Sequence, residues 1–369
     1  MNRKALVVLL IALSGVAAAL ADSAWTVVPS PNRGTVSSQL NGVGLTAANN
    51  VWAAGHSYDS QLASYRTLVE RWDGTRWTIA PTPNATSGYN DLNAIAMANQ
   101  SDGWAVGYSQ QSTYGPSHTL ILHWDGLAWR LLPSPNPGPG NNVLYSVAAE
   151  SPGNAWAVGW YYDAQFIGRP LILHWNGLQW LTVPAPSAST YFNALQTVAA
   201  TGPADAWAAG YAYVSGRYST FVEHWNGSAW TIVASPNVGT SANRIRAISG
   251  SSADDVWAVG DSGSAGSLVE HWNGLIWTVV SHPEPTSGAR TLWGVKALQP
   301  NDAWAAGYVN SPASGLQPMI QHWDGASWQL QSTAAPAGSW LTAVSGLPAG
   351  DLWTVGATGA ATLTLRLDR

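Results

Sequence analysis

Seven copies of one short pattern are spread along this 369-residue chain. The tetrapeptide Trp-Ala-(Val/Ala)-Gly, with close variants, begins at Trp52, Trp104, Trp156, Trp207, Trp257, Trp304 and Trp353, at intervals of 47 to 52 residues. A period near fifty is the mark of a propeller, in which each unit supplies one blade that buries its faces only against its neighbours. A second motif, (His/Arg)-Trp-(Asp/Asn)-Gly-x-x-Trp, follows the first six copies. It gives the pairs Trp72/Trp77, Trp124/Trp129, Trp175/Trp180, Trp225/Trp230, Trp272/Trp277 and Trp323/Trp328.

The seventh copy of this second motif is divided between the two ends of the chain. Leu365-Arg366-Leu367-Asp368-Arg369 matches its first half and Ala24-Trp25-Thr26-Val27-Val28-Pro29 its second, with Asp22 at the glycine position. The expectation is an all-β chain: a seven-bladed β-propeller of four-stranded antiparallel blades, closed by an N-terminal strand that completes the last blade. The repeats then span about 38–84, 90–136, 142–187, 193–237, 243–284, 290–335, and 339–369 together with 22–32.

Residues 1–21 read as a signal peptide, with a basic Asn2-Arg3-Lys4 start, an apolar stretch from Ala5 to Leu20 and a small-residue end at Ala19-Leu20-Ala21. Cleavage there leaves residues 22–369 as the propeller and places the protein outside the cytoplasm: secreted, periplasmic or on the cell surface. The chain has no cysteine, so disulfides are excluded and the ring itself must supply stability. The net charge of −5 argues against nucleic acid and against an anionic membrane surface once the leader is removed. Lys296 is the only lysine after residue 21.

Within each repeat, turn signals divide four short strands. In the second they are about Leu92–Ala96, Trp104–Tyr108, Thr119–Trp124 and Trp129–Leu132. Asp125-Gly126 and its equivalents are read as type I′ hairpin turns between the last two strands. Asp102, Asp205, Asp255, Asp302 and Asp351, with Asn50 and Asn154, mark the turn between the first two. Twenty of the 23 tryptophans fall on the repeated columns and are core residues. Each contributes roughly 4–6 kcal/mol of gross burial, an upper bound. Proline at the end of the outermost strand, as in Pro81-Thr82-Pro83, blunts an edge that would invite sheet extension.

The Trp-Ala-Val-Gly strand followed by a Trp-Asn-Gly-x-x-Trp hairpin resembles exported bacterial propellers related to the Asp-box (sialidase-type) and photosystem II stability/assembly-factor repeats. The resemblance covers residues 24–369 and implies architecture. It departs in chemistry, since the Ser-x-Asp-x-Gly-x-x-Trp spacing of an Asp box is absent and His-Trp stands where the Ser would be. No catalytic residue of that family maps onto this chain.

In such a blade the first and third turns lie at one end, and the second turn and the connector at the other. Length varies only across the second turn. All thirteen tyrosines fall on that face, where rigidly held loops suit binding. On the innermost strands, the position eleven before each motif tryptophan holds Asn41, Asn93, Tyr145, Gln196, Arg246, Trp293 and Thr342 between regular neighbours. Such chemical variety in a fixed frame points to the channel mouth. Arg244, Arg246, Arg290, Trp293 and Trp340, with Tyr145, are the candidate ligand-binding residues. Arg beside Trp suits a carboxylate or acidic sugar, and the competing reading is channel filling with Arg paired to acids such as Asp261.

His123, His174, His224, His271 and His322, with Arg71 and Arg366, form one column, and successive blades hold them too far apart to share a metal. They are expected to bond within each blade to the turn Asp or Asn. No metal and no cofactor are expected. The function read from these features is non-catalytic binding of a glycan or an extracellular protein. Its rivals are a glycoside hydrolase or lyase using Asp59, Asp91, Asp163 or Glu284, and a structural subunit of an extracellular assembly. The oligomeric state is open.

Overall fold

The computed structural model describes residues 25–285, 288–348 and 350–367. The signal peptide, the cleavage point before Asp22, and the turn positions Asp22 and Asp368 lie outside them. The described chain folds into seven four-stranded antiparallel sheets arranged as a ring of blades, six of them pairing their strands in sequence order. Six blades are continuous in sequence. The seventh combines Ser339–Gly346, Leu352–Thr358 and Ala361–Leu367 with Trp25–Val27 at its outer edge.

Closure has the expected register. Trp25 lies opposite Leu367 and Val27 opposite Leu365, as Trp72 lies opposite Trp77 in the first blade. The regular strand is only three residues long, and the chain beyond it stays tied to the blade. The Val28 N–H donates to Thr364 O at 3.0 Å, and Asn32 Oδ1 accepts from Thr362 N at 2.8 Å. The same Asn device recurs where Asn84, Asn136 and Asn237 accept from Thr67, Thr119 and Thr220.

Tryptophan joins each blade to the next. Trp52 of blade one packs on Trp124 and Trp129 of blade two, with ring centroids 4.8 and 5.5 Å away. Trp104, Trp156, Trp207 and Trp257 repeat this against the following pair. The relay crosses the seam of the ring without interruption. Trp304 of blade six meets Trp25 edge-on at 5.5 Å, and Trp353 of blade seven meets Trp72 and Trp77 of blade one at 5.1 and 5.2 Å.

The hairpin between the third and fourth strands differs from the type I′ expectation. Among its residues only the glycine has positive φ, as at Gly74 (101°), Gly126 (88°) and Gly177 (89°). The Asp73 N–H donates to Arg76 O, so the two central residues are Gly74 and Thr75. That is the sign pattern of a type II′ turn. The aspartate stands one place earlier, where Asp73 Oδ1 accepts from the N–H groups of Thr75 and Arg76.

Candidate functional site

Every innermost strand carries a β-bulge, always at the variable position. The register slips between Leu40 and Gly42, Leu92 and Ala94, Leu144 and Ser146, and Leu195 and Thr197. It slips again between Ile245 and Ala247, Leu292 and Gly294, and Leu341 and Ala343. The skipped residues are Asn41, Asn93, Tyr145, Gln196, Arg246, Trp293 and Thr342, and all seven line the central cavity of about 840 Å³. A bulge frees one side chain from the ladder and re-aims it. Here seven of them form a ring.

The motif glycine is what makes the bulge fit. A Cβ on Gly260 would stand 1.9 Å from Arg244 O, and one on Gly107 would stand 2.0 Å from Asp91 O. Gly55, Gly159, Gly210, Gly307 and Gly356 meet the inner-strand carbonyl equally closely, at 1.9 to 2.1 Å. The recurring Gly of the tetrapeptide is therefore the counterpart of a functional-looking side chain fourteen residues before it.

The ring has two unlike halves. On blades seven, one and two its members stitch the barrel together: Thr342 Oγ1 donates to Leu40 O, Asn41 Nδ2 to Leu92 O and Asn93 Nδ2 to Leu144 O, at 2.7 to 2.9 Å. On blades three to six the corresponding positions hold Tyr145, Gln196, Arg246 and Trp293. Tyr145 accepts at its hydroxyl from Trp160 Nε1, and Arg246 Nη1 donates to Gln196 Oε1 at 3.4 Å. The Trp293 indole N–H is buried without a partner. The Arg246 guanidinium lies 4.6 Å from the Trp293 ring centroid.

Asp261 holds two arginines, Arg244 Nη1 at 3.1 Å and Arg246 Nε at 3.0 Å. The pairing anticipated for the channel-filling reading is thus present. One carboxylate between two guanidiniums leaves a net positive charge, and Arg246 still faces the cavity. Arg244 lies outside the cavity lining and packs its guanidinium over Tyr218 and Tyr211 at 5.0 and 5.7 Å. Arg290 is also outside it, paired with Glu284 at 3.5 Å and donating to Pro285 O. Its guanidinium is thus taken up by the connector residues Glu284 and Pro285, and it does not join the other site residues on the cavity wall. Trp340 does line the cavity.

Trp160, Trp293 and Trp340 are the three tryptophans outside the repeat columns, and all three belong to this region. Trp160 leads outward through residues that sequence reasoning passed over. It meets Phe192 at 5.2 Å, and Phe192 stacks with Tyr211, which meets Tyr218 at 5.1 Å. The series ends at exposed rings, with Phe166 and Tyr191 each 73% exposed. A second group, Tyr58, Tyr65, Tyr89 and Tyr108, covers blades one and two.

The histidine column bonds within each blade as expected. His123 reaches Asp102 at 2.9 Å, His271 reaches Asp255 at 2.7 Å and His174 reaches Asn154 at 2.7 Å, each imidazole lying on its blade's motif tryptophan. Arg71 and Arg366 take the same place over Trp52 and Trp353. Among the described residues no group of three or more His, Cys, Asp or Glu could hold a metal ion. The candidate acids have local tasks: Asp59 and Asp163 bond to the backbone of their own loops. Asp91 takes His56, Tyr89 and Asn41. Glu284 accepts from Ser267 N, the task of the connector Asn in other blades.

No protein-family model and no curated protein matches the chain. Among solved structures it is similar to YCF48 bound to D1 peptide, at TM-score 0.60 and 16% identity over 95% of this chain and 97% of that one. It is similar to YCF48 from Cyanidioschyzon merolae at TM-score 0.60 and 18% identity over 94% and 98%. The WD40 β-propeller domain of Doa1 gives TM-score 0.60 at 10% identity over 94% and 98%. At these identities the likeness is one of fold.

Proposed function

We propose that this chain is an exported, non-catalytic binding propeller that receives a segment of another protein at its channel mouth and Tyr-rich loop face. The observation that carries the reading is the divided ring. Half of it is consumed in stitching blades, while blades three to six present Tyr145, Arg246, Trp293 and, beside them, Trp340 to an open cavity. Aromatic rings and arginine are the side chains that dominate interface hot spots. The similar propeller YCF48 has been solved bound to a peptide. Export rests on residues 1–21, and mass spectrometry of exported material is expected to find a chain starting at Asp22.

Selection of a random peptide library on the full chain tests the reading. Selected peptides should bind tenfold to a hundredfold more weakly to Arg246→Ala and to Trp340→Ala, as loss of a charge-assisted or buried aromatic contact requires. Arg246→Ala leaves Asp261 paired with Arg244, so stability should change little. No selected peptide, together with glycan-array binding that both variants lose, would replace the protein partner with a sugar. Flat Trp faces beside the Gln196 amide are the features that would serve one.

A further inference from the structure

Among the described residues, the wall of the central cavity carries no Asp or Glu, and its only charged side chains are Arg246 and Lys296, in a chain whose net charge is −5. Lys296 lies on the inner strand of blade six (Ala289–Gln299), opposite Trp304 in the ladder. It is three residues, or about 10 Å, deeper than the bulge residue Trp293. At the equivalent position the other blades have Gly44, Ala96, Ala148, Ala199, Ser249 and Ser345, all on the same wall. The frame therefore asks for nothing large there. The side chain is partly exposed and lines the channel, and among the described residues it has no carboxylate, hydrogen-bond or ring partner. Burial in these surroundings lowers its pKa.

An ammonium largely buried in the channel wall without a counter-ion loses hydration that nothing in the protein replaces. A negatively charged group entering the channel would supply the missing partner. Directly above, on the same strand, the Trp293 ring lines the channel with its indole N–H buried and unpaired, and the Arg246 guanidinium covers the ring. We propose that Lys296 is the deep contact of a carboxylate-binding site in the channel, with Arg246 and Trp293 holding the outer part of the same ligand. The ligand is elongated, because its two cationic contacts lie on different levels of the channel. The carboxylate belongs either to a free organic diacid or to an acidic polypeptide segment. This deepens the reading of the channel mouth as a binding site and rests on it.

Calorimetry with two probes tests the proposal: suberate, a linear diacid, and a hexaglutamate peptide. The wild-type chain should bind at least one of them. Lys296→Met, which keeps the stem and removes the charge, should weaken binding about tenfold to a hundredfold. Binding an anion beside Lys296 favours its protonated form, so titrations over a series of alkaline pH values in buffers of different ionisation enthalpy should show net proton uptake. Lys296→Met should abolish that uptake. Tyr145, Tyr211, Tyr308 and Arg246 also face the channel and stay in place in the variant, so the lost uptake belongs to Lys296. Lys296→Ser, the residue of blade seven at this position, guards against a folding defect peculiar to Met.

Suberate binding without hexaglutamate binding would assign the site to small diacids, and the reverse would assign it to acidic segments. Binding of neither probe, or equal affinity and equal proton uptake in wild type and both variants, would overturn the proposal. The channel-mouth reading fails separately, through peptides indifferent to Arg246→Ala and Trp340→Ala.

Discussion

Glu70, Glu223 and Glu270 occupy one column, two residues before the hairpin tryptophan, and each is fully buried. Blades two, three and seven place Leu122, Leu173 and Leu365 there, and blade six places Gln321. Neither carboxylate oxygen of Glu70 or Glu223 has a partner, whereas Glu270 accepts from Ser235 Oγ. Burial pushes all three up to about 8 from 4.5. A carboxyl whose folded pKa is raised binds its proton more tightly when folded. Its contribution to stability is complete below pH 4.5 and is lost as pH rises towards 8. The protein should therefore melt at a lower temperature at pH 8 than at pH 5. Glu223→Leu, a residue the column already accepts, should raise stability at pH 8 by up to roughly a few kcal/mol and flatten the profile. Thermal melts of both proteins across this range check it, and an unchanged slope in the variant would be the contrary result.

At the scale of the strand, the tetrapeptide and the channel ring are two halves of one device. The glycine on the second strand leaves room for the carbonyl that the bulge pushes towards it, and the bulge turns the next side chain into the channel. Gly260→Ala should cost about 1–3 kcal/mol or more through the clash with Arg244 O. It should also weaken ligand binding, because Arg244, Arg246 and Asp261 shift together. Gly153→Ala is the control: nothing lies within 4 Å of its added Cβ, so stability should stay the same or rise slightly. Chemical denaturation of the two variants distinguishes a glycine required by the bulge from one that merely sits in a turn. The period of the motifs made the strands and their order legible in the sequence. The bulges were visible only as chemical irregularity at one position, because a skipped ladder residue has no composition of its own.

The whole molecule depends on a seam made from both chain ends. Trp25 is fully buried, closes the outer edge of blade seven and receives Trp304 of blade six. Removing residues 25–32 deletes that strand, the Trp25 contact and the Asn32 acceptor, and it exposes a sheet edge. The expected outcome is several kcal/mol of destabilisation with self-association, read by melting temperature and light scattering. A monodisperse monomer melting like wild type would show that the ring stands without its seam. The histidine column predicts a second property of the ring as a whole. Its imidazoles are committed to Asp, Asn and Trp of their own blades, so chelators should leave melting temperature and binding unchanged.

Blade number, strand order and the split seventh hairpin followed from the sequence alone, because each depends on the spacing of tryptophans and turn residues along the chain. The placement of Arg246 and Trp293 in the channel was legible for the same reason, as departures from a strict repeat. Distances across the ring carry no such signature. Only the tertiary structure separated Arg290, turned to Glu284, from Arg246. It also showed which ring positions are spent in stitching and left Lys296 alone on a wall without acids. Those outcomes depend on which side chains of neighbouring blades and connectors meet once the ring closes, and that is decided by packing rather than by local pattern.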